Sequence, residues 1–142
     1  KESIMEVTRR DTMAIGGAAV ISTLIPSISV ASTNDLIMGI TGGADAAASG
    51  IDLTAPEIAE NGNTVPISVD APGAVAVTIL AAGNPLPGVA TFNFGDGAGS
   101  QSATTRIRLA GTQDVIAVAK MADGSFAAVS QTVKVTIGGC GG

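Results

Sequence analysis

Histidine, tryptophan and tyrosine are absent from this 142-residue chain, which holds three phenylalanines and a single cysteine. Each scarcity removes a class of function. One Cys without His cannot build a structural zinc site, which draws on several soft ligands. A thiol peroxidase or reductase needs a resolving cysteine or a neighbouring base, and the chain supplies neither. Positive charge is also scarce: seven Lys and Arg stand against twelve Asp and Glu, a formal net charge of -5. Beyond residue 31 the only cations are Arg106, Arg108, Lys120 and Lys134. A nucleic-acid surface needs a clustered basic patch, and none is written here. With so few aromatics, the core has to come from Val, Ile, Leu and Ala. Such a core is thin for one small domain, so a partner subunit is expected to cover part of it.

What is present is concentrated at the C-terminal end. The cysteine, Cys140, stands within Gly138-Gly139-Cys140-Gly141-Gly142. Glycine lacks a Cβ and leaves the backbone free to take almost any direction. Most lone cysteines are small buried hydrophobes, but four flanking glycines offer nothing to bury this one. A loose tail without function is the plain alternative, since termini are commonly unordered. A prenylation box is excluded, because it needs the cysteine four residues from the end. A terminal Gly-Gly also occurs in carriers that use a terminal thiocarboxylate, chemistry that the adjacent thiol makes unnecessary. The pattern predicts a tethered thiol on an arm that spans about 17 Å when extended, free to meet several partners in turn.

At the other end, Arg9-Arg10 precedes an uncharged apolar stretch from Met13 to Ile25, Pro26, and small residues around Ser29 and Ala31. Charged, apolar and small-residue regions in this order predict a signal peptide over residues 1–31, the stretch being too short to span a bilayer. The twin arginine points to the Tat route, which exports folded proteins. Export to the periplasm follows, with no membrane span expected in the mature form. An odd cysteine in an exported chain predicts a free reactive thiol or an intermolecular link, including a homodimer joined through Cys140.

Between the ends the chain reads as strands. Residues 32–50 are expected to be a linker with a short helix near Asp35 to Ile40. Residues 51–137 are expected to form one domain. Val65, Ile67 and Val69 alternate with Pro66, Ser68 and Asp70, and Val75, Val77 and Ile79 repeat the pattern. Val89 to Phe94 is a further apolar stretch. Ala103 to Leu109 places Arg106 and Arg108 on one face and Ile107 and Leu109 on the other. Val115 to Met121 is nearly all apolar and is expected at the centre of a sheet. Asp123-Gly124 signals a hairpin. Val133, Val135 and Ile137 alternate with Thr132, Lys134 and Thr136. Period-two alternation punctuated by turns predicts an all-β, antiparallel sandwich of immunoglobulin type, with the thiol arm of residues 138–142 starting directly after Ile137.

Four stretches then carry a resemblance: Pro56 to Gly62, Ala90 to Phe94, Thr105 to Ala110 continuing through Val115 to Ala119, and Val133 to the glycine-flanked Cys140. Together they resemble the SoxY family, sulfur-carrier subunits of the periplasmic Sox system of thiosulfate oxidation. The resemblance implies an immunoglobulin-like sandwich and a Tat leader. It implies that Cys140 is the covalent attachment point for sulfur intermediates, with Gly138, Gly139, Gly141 and Gly142 forming the arm. It implies a heterodimer with SoxZ and reaction with SoxXA, SoxB and, in many organisms, SoxCD. Haem and metals would belong to those partners, so the chain itself is expected to carry no cofactor and no catalytic residue. The low aromatic content and the Gly/Ala-rich segment from Ile40 to Gly50 depart from the family pattern at the expected SoxZ interface.

A carrier thiol must attack as thiolate and later release what it holds, which works best with a pKa near ambient pH. No cation lies nearer to Cys140 than Lys134, so activation is expected from the partners' active sites. The glycines are expected to let the arm thread narrow channels. Arg106 and Arg108 read as a solvated strand face, with attraction of anionic thiosulfate as the sharper alternative. Glu57 and Glu60 read as a surface loop or a SoxZ contact, since no second catalytic element accompanies them. Two other classes stay in view: a thiol redox enzyme, and a structural sandwich whose tail is incidental.

Overall fold

A computed structural model of the chain describes residues 32–139. The signal-peptide expectation and Cys140, Gly141 and Gly142 lie outside the described residues. The first element is helix α1, Thr33–Thr41. Ser32 caps it: its hydroxyl accepts the Asp35 N–H, and the Asp35 carboxylate accepts the Ser32 N–H. Two otherwise orphaned helix donors are satisfied at once. Gly42, at φ +65°, ends the helix in the left-handed conformation that glycine takes without strain.

Nine strands follow: β1 Ala46–Ala47, β2 Asp52–Thr54, β3 Ile58–Asn61, β4 Val65–Asp70, β5 Ala74–Ala81, β6 Gly88–Asn93, β7 Ser102–Ile107, β8 Gln113–Met121 and β9 Phe126–Ile137. One sheet runs β1-β9-β8-β5-β6, with β3 also on β9; the other runs β2-β4-β7. Val77, Ile79, Val115, Ala117 and Val133 of the first sheet pack with Val65, Ile67, Val69 and Ile107 of the second in one core. These are the inward positions of alternating strands. As expected from its unbroken apolar sequence, β8 is the middle strand of the larger sheet. Asp123-Gly124 turns the chain from β8 into β9, with Gly124 at φ +86°.

The expected all-β sandwich with a short helix before it is what the chain forms, and it differs from the expectation in three details. First, the sheets are not purely antiparallel, because β1 and β3 both pair parallel with β9. Between β1 and β3 the chain leaves β9 and pairs with β4 as β2. Gln131 of β9 fills the gap by binding both the N–H and the carbonyl of Ala55, as another strand would. The Gly/Ala-rich segment before residue 50 therefore contributes a short strand to the larger sheet. Second, Val75 does not join Val77 and Ile79 in the core but is 39% exposed. The β5–β8 register slips between Ala74 and Ala76, and an extra residue in one strand turns a side chain to the opposite face. Third, Gly139, two residues beyond Ile137, is bonded to the body through its N–H.

Candidate functional site: the root of the thiol arm

Strand β9 ends at Ile137, beside the turn that follows β3 and the segment that follows β7. Three backbone hydrogen bonds join these segments in series. Gly62 N–H donates to the Ile137 carbonyl at 2.7 Å, Leu109 N–H to the Gly62 carbonyl at 2.8 Å, and Gly139 N–H to the Leu109 carbonyl at 2.8 Å. Backbones this close leave no room for side chains. A Cβ on Gly62 would press on the Leu109 carbonyl oxygen and stand 2.7 Å from the Gly139 nitrogen. A Cβ on Gly138 would collide with the Ala110 carbonyl oxygen, and one on Gly139 would stand 2.9 Å from the Gly62 oxygen. Gly139 and Gly62 are buried, whereas Gly138 is exposed.

The arm was expected to begin at Gly138. In the folded chain Gly138 and Gly139 instead extend the body by two residues. The physical reason is that a glycine run permits close approach as readily as it permits motion, and the Leu109 carbonyl at this end of the sandwich accepts the Gly139 N–H.

The segment that receives Gly139 is itself held from below. Asn84, in the β5–β6 connection, donates from Nδ2 to the Arg108 carbonyl at 2.8 Å and accepts the Ala110 N–H at Oδ1, 2.9 Å. Gln113, the first residue of β8, donates from Nε2 to Asn84 Oδ1 at 2.9 Å and to the Gly111 carbonyl at 3.0 Å. Its Oε1 accepts the Gly83 N–H at 2.8 Å. Asn84 and Gln113 are each 8% exposed, two of the three buried polar residues among those described. Every bond that burial asks of them is made, as a low-dielectric site requires. Thr112 adds one more contact, its hydroxyl accepting the Val135 N–H of β9 at 3.0 Å.

Neither charged pair singled out from the sequence joins this network through its side chains. Arg106 and Arg108 are exposed, Arg106 on β7 and Arg108 just beyond it. Arg108 takes part through its carbonyl alone. Glu57 and Glu60 are exposed, Glu57 just before β3 and Glu60 on it, and the Glu57 carbonyl accepts the Lys134 N–H at 2.9 Å. The two aspartates with depressed pKa values lie elsewhere. The Ser32 hydroxyl and N–H lower Asp35 at the helix cap, and the Ser125 hydroxyl and N–H lower Asp123 in the β8–β9 turn. Among the described residues no group of three or more His, Cys, Asp or Glu could hold a metal ion. No described helix is long and apolar enough to cross a membrane.

Sequence reasoning missed Gly62, Asn84 and Gln113. Gly62 closes the Pro56 to Gly62 stretch, whose Glu57 and Glu60 read as a surface loop or a SoxZ contact, and Asn84 sits in Gly83-Asn84-Pro85, which reads as an ordinary turn. Gln113 offered a faint signal as an uncharged polar residue at the head of an apolar strand.

Residues 37–140 match the family model for the sulfur oxidation protein SoxY. The chain belongs to the SoxY family. The match runs from α1 through the sandwich and ends on Cys140. Among solved structures, the sulfur carrier protein SoxY from Chlorobium limicola f. thiosulfatophilum is similar at 33% identity and a TM-score of 0.63, over 71% of this chain and 89% of that one. The superoxide reductase neelaredoxin from Ignicoccus hospitalis aligns at 14% identity and a TM-score of 0.54, over 61% of this chain and 80% of that one. A putative superoxide reductase from Thermotoga maritima aligns at 19% identity and a TM-score of 0.51, over 60% and 84%. At such identities the likeness to the two reductases is a likeness of fold. No curated protein sequence matches the chain.

Proposed function

We propose that this SoxY-family chain is a covalent carrier of sulfur intermediates in periplasmic thiosulfate oxidation, and that Cys140 holds them. The observation that carries the reading is the family match, which extends to Cys140 itself. Chemistry supports it, since the chain has one thiol and no histidine to serve as a base. Coupling of the thiol to thiosulfate forms a sulfur–sulfur bond, giving Cys–S–S–SO₃⁻ and releasing one proton and two electrons. A haem partner of the SoxXA type accepts those electrons. Water then removes the terminal sulfonate as sulfate, leaving Cys140 as the persulfide anion Cys–S–S⁻ and releasing two protons, the step assigned to a SoxB-type hydrolase. Removal of the remaining sulfane sulfur falls to a SoxCD-type partner where one exists. The chain works as a substrate presented to enzymes, paired with SoxZ, and contributes no cofactor.

The test is reconstitution with the partner proteins, comparing the chain with Cys140→Ser. Thiosulfate-dependent electron release should vanish in the variant while its melting temperature stays unchanged. Full activity of Cys140→Ser would remove the carrier reading and leave a structural sandwich.

A further inference from the structure

The glycines before the cysteine are clamped rather than free, and the clamp stands on two buried amides. We infer that Asn84 and Gln113 are positioning residues for the thiol: they hold the Arg108–Gly111 segment rigid, and that segment fixes the pivot of the arm at Gly139. The inference rests on the carrier reading of Cys140 and adds what sets its reach.

The geometry has a direct consequence. A chain pivoting at Ile137 would carry the thiol on two more free residues, about 7 Å of additional reach. With Gly139 N–H bonded to the Leu109 carbonyl, the Cα of the next residue lies about 3.8 Å from that of Gly139 across a trans peptide. The free length that carries the sulfur is therefore counted from Gly139, beside the Gly62 turn and the Leu109–Gly111 segment, rather than from Ile137. An enzyme that takes the thiol has to accept this end of the sandwich as well as the arm. Fixing one end of a reacting group narrows the positions it samples and raises its effective concentration at a docked active site.

Asn84 is the centre of the support. It binds both sides of Leu109, through the Arg108 carbonyl and the Ala110 N–H, and so orients the carbonyl that receives Gly139. Gln113 braces Asn84 and Gly111 from β8. Both side chains are uncharged amides that a carboxylate replaces at the same size. Asn84→Asp and Gln113→Glu each remove the donor while keeping the shape.

The experiment has two readouts. Amide exchange by NMR should find Gly139 protected in the wild type to a degree similar to Val135. In Asn84→Asp and Gln113→Glu it should lose about tenfold or more of that protection while Ala117 in β8 keeps its own. Steady-state loading by a SoxXA-type partner should show a several-fold higher KM for each variant carrier with kcat nearly unchanged, since the thiol chemistry is intact and only its placement is diluted. A third chain, with Gly-Gly inserted between Gly139 and Cys140, leaves the clamp untouched. It should raise KM in the same way, which keeps the test alive if either amide variant fails to fold. An unprotected Gly139 in the wild type overturns the inference. So does unaltered KM in the insertion chain, or in amide variants that have lost Gly139 protection. Failure of the wild type to load at all overturns the carrier reading instead, and the exchange data still decide whether the clamp exists.

Discussion

The two ends of the sandwich use glycine in opposite ways. At the end where β8 turns into β9, Gly50, Gly73 and Gly124 have φ values of +95°, +82° and +86°. Around Gly73 and Gly124 nothing lies within 4 Å of where a Cβ would stand. These glycines are needed for backbone direction, and the space around them is open. At the arm end, none of Gly62, Gly83, Gly138 and Gly139 has a positive φ, yet a Cβ on any of them would meet a neighbour within 3 Å. Those glycines are needed for approach. One amino acid thus makes turns at one end and a clamp at the other, and the sequence alone does not separate the two uses.

Substitutions should expose the contrast, and the largest effect is expected at Gly62. Valine there has to push aside the Leu109 carbonyl, the Gly139 amide and the Val135 side chain, all within 3 Å of its Cβ. Overpacking of this kind costs about 2–3 kcal/mol, readable as a lower urea midpoint, and Gly139 should lose its exchange protection as well. Next comes Asn84→Ala, which strands the Arg108 carbonyl and the Ala110 N–H and removes one of the two acceptors of Gln113 Nε2. Leaving such groups without partners costs about 2 kcal/mol, and the same melt measures it. Gly124→Ala is expected to cost about 1 kcal/mol through left-handed strain alone. It should leave Gly139 protection untouched, and loss of that protection would break the distinction between the two ends.

The smallest effect is electrostatic and lies away from the root. The folded chain holds the protons of Asp35 and Asp123 less tightly than an ordinary aspartate, through the Ser32 and Ser125 hydroxyls respectively. Because the folded values are depressed, their contribution is present above the unfolded aspartate value and fades as pH falls through the folded one. Both carboxylates are fully exposed, so the change should be slight. Titration of the Asp35 and Asp123 side-chain carbon shifts checks it: midpoints should fall below the ordinary aspartate range, and Ser32→Ala should raise the Asp35 midpoint alone, in part, because the residue-32 N–H still donates to it.

Much of this architecture could be read before any coordinates. The alternation of Val65, Ile67 and Val69, the apolar run of β8 and the Asp123-Gly124 turn each depend on local chemistry, and each stands where it was expected. What escaped depends on neighbours. β1 and β3 have weak patterns of their own and exist because the edge of β9 accepts them. The exposure of Val75 follows from a one-residue register slip that no alternation reveals. The clamp is further still from sequence, since Gly62, Leu109 and Gly139 meet only when three separate segments converge. The glycine-flanked cysteine reads as a tethered thiol, yet the same glycines concealed that Gly139 is bonded to the Leu109 carbonyl.

The most direct test of the carrier role is the intact mass of the mature protein purified from cells oxidising thiosulfate, measured with and without reductant. The account predicts a set of sulfur adducts that reductant removes and that peptide mapping places on Cys140. A single unmodified mass under both conditions, in cells with active thiosulfate turnover, would contradict it.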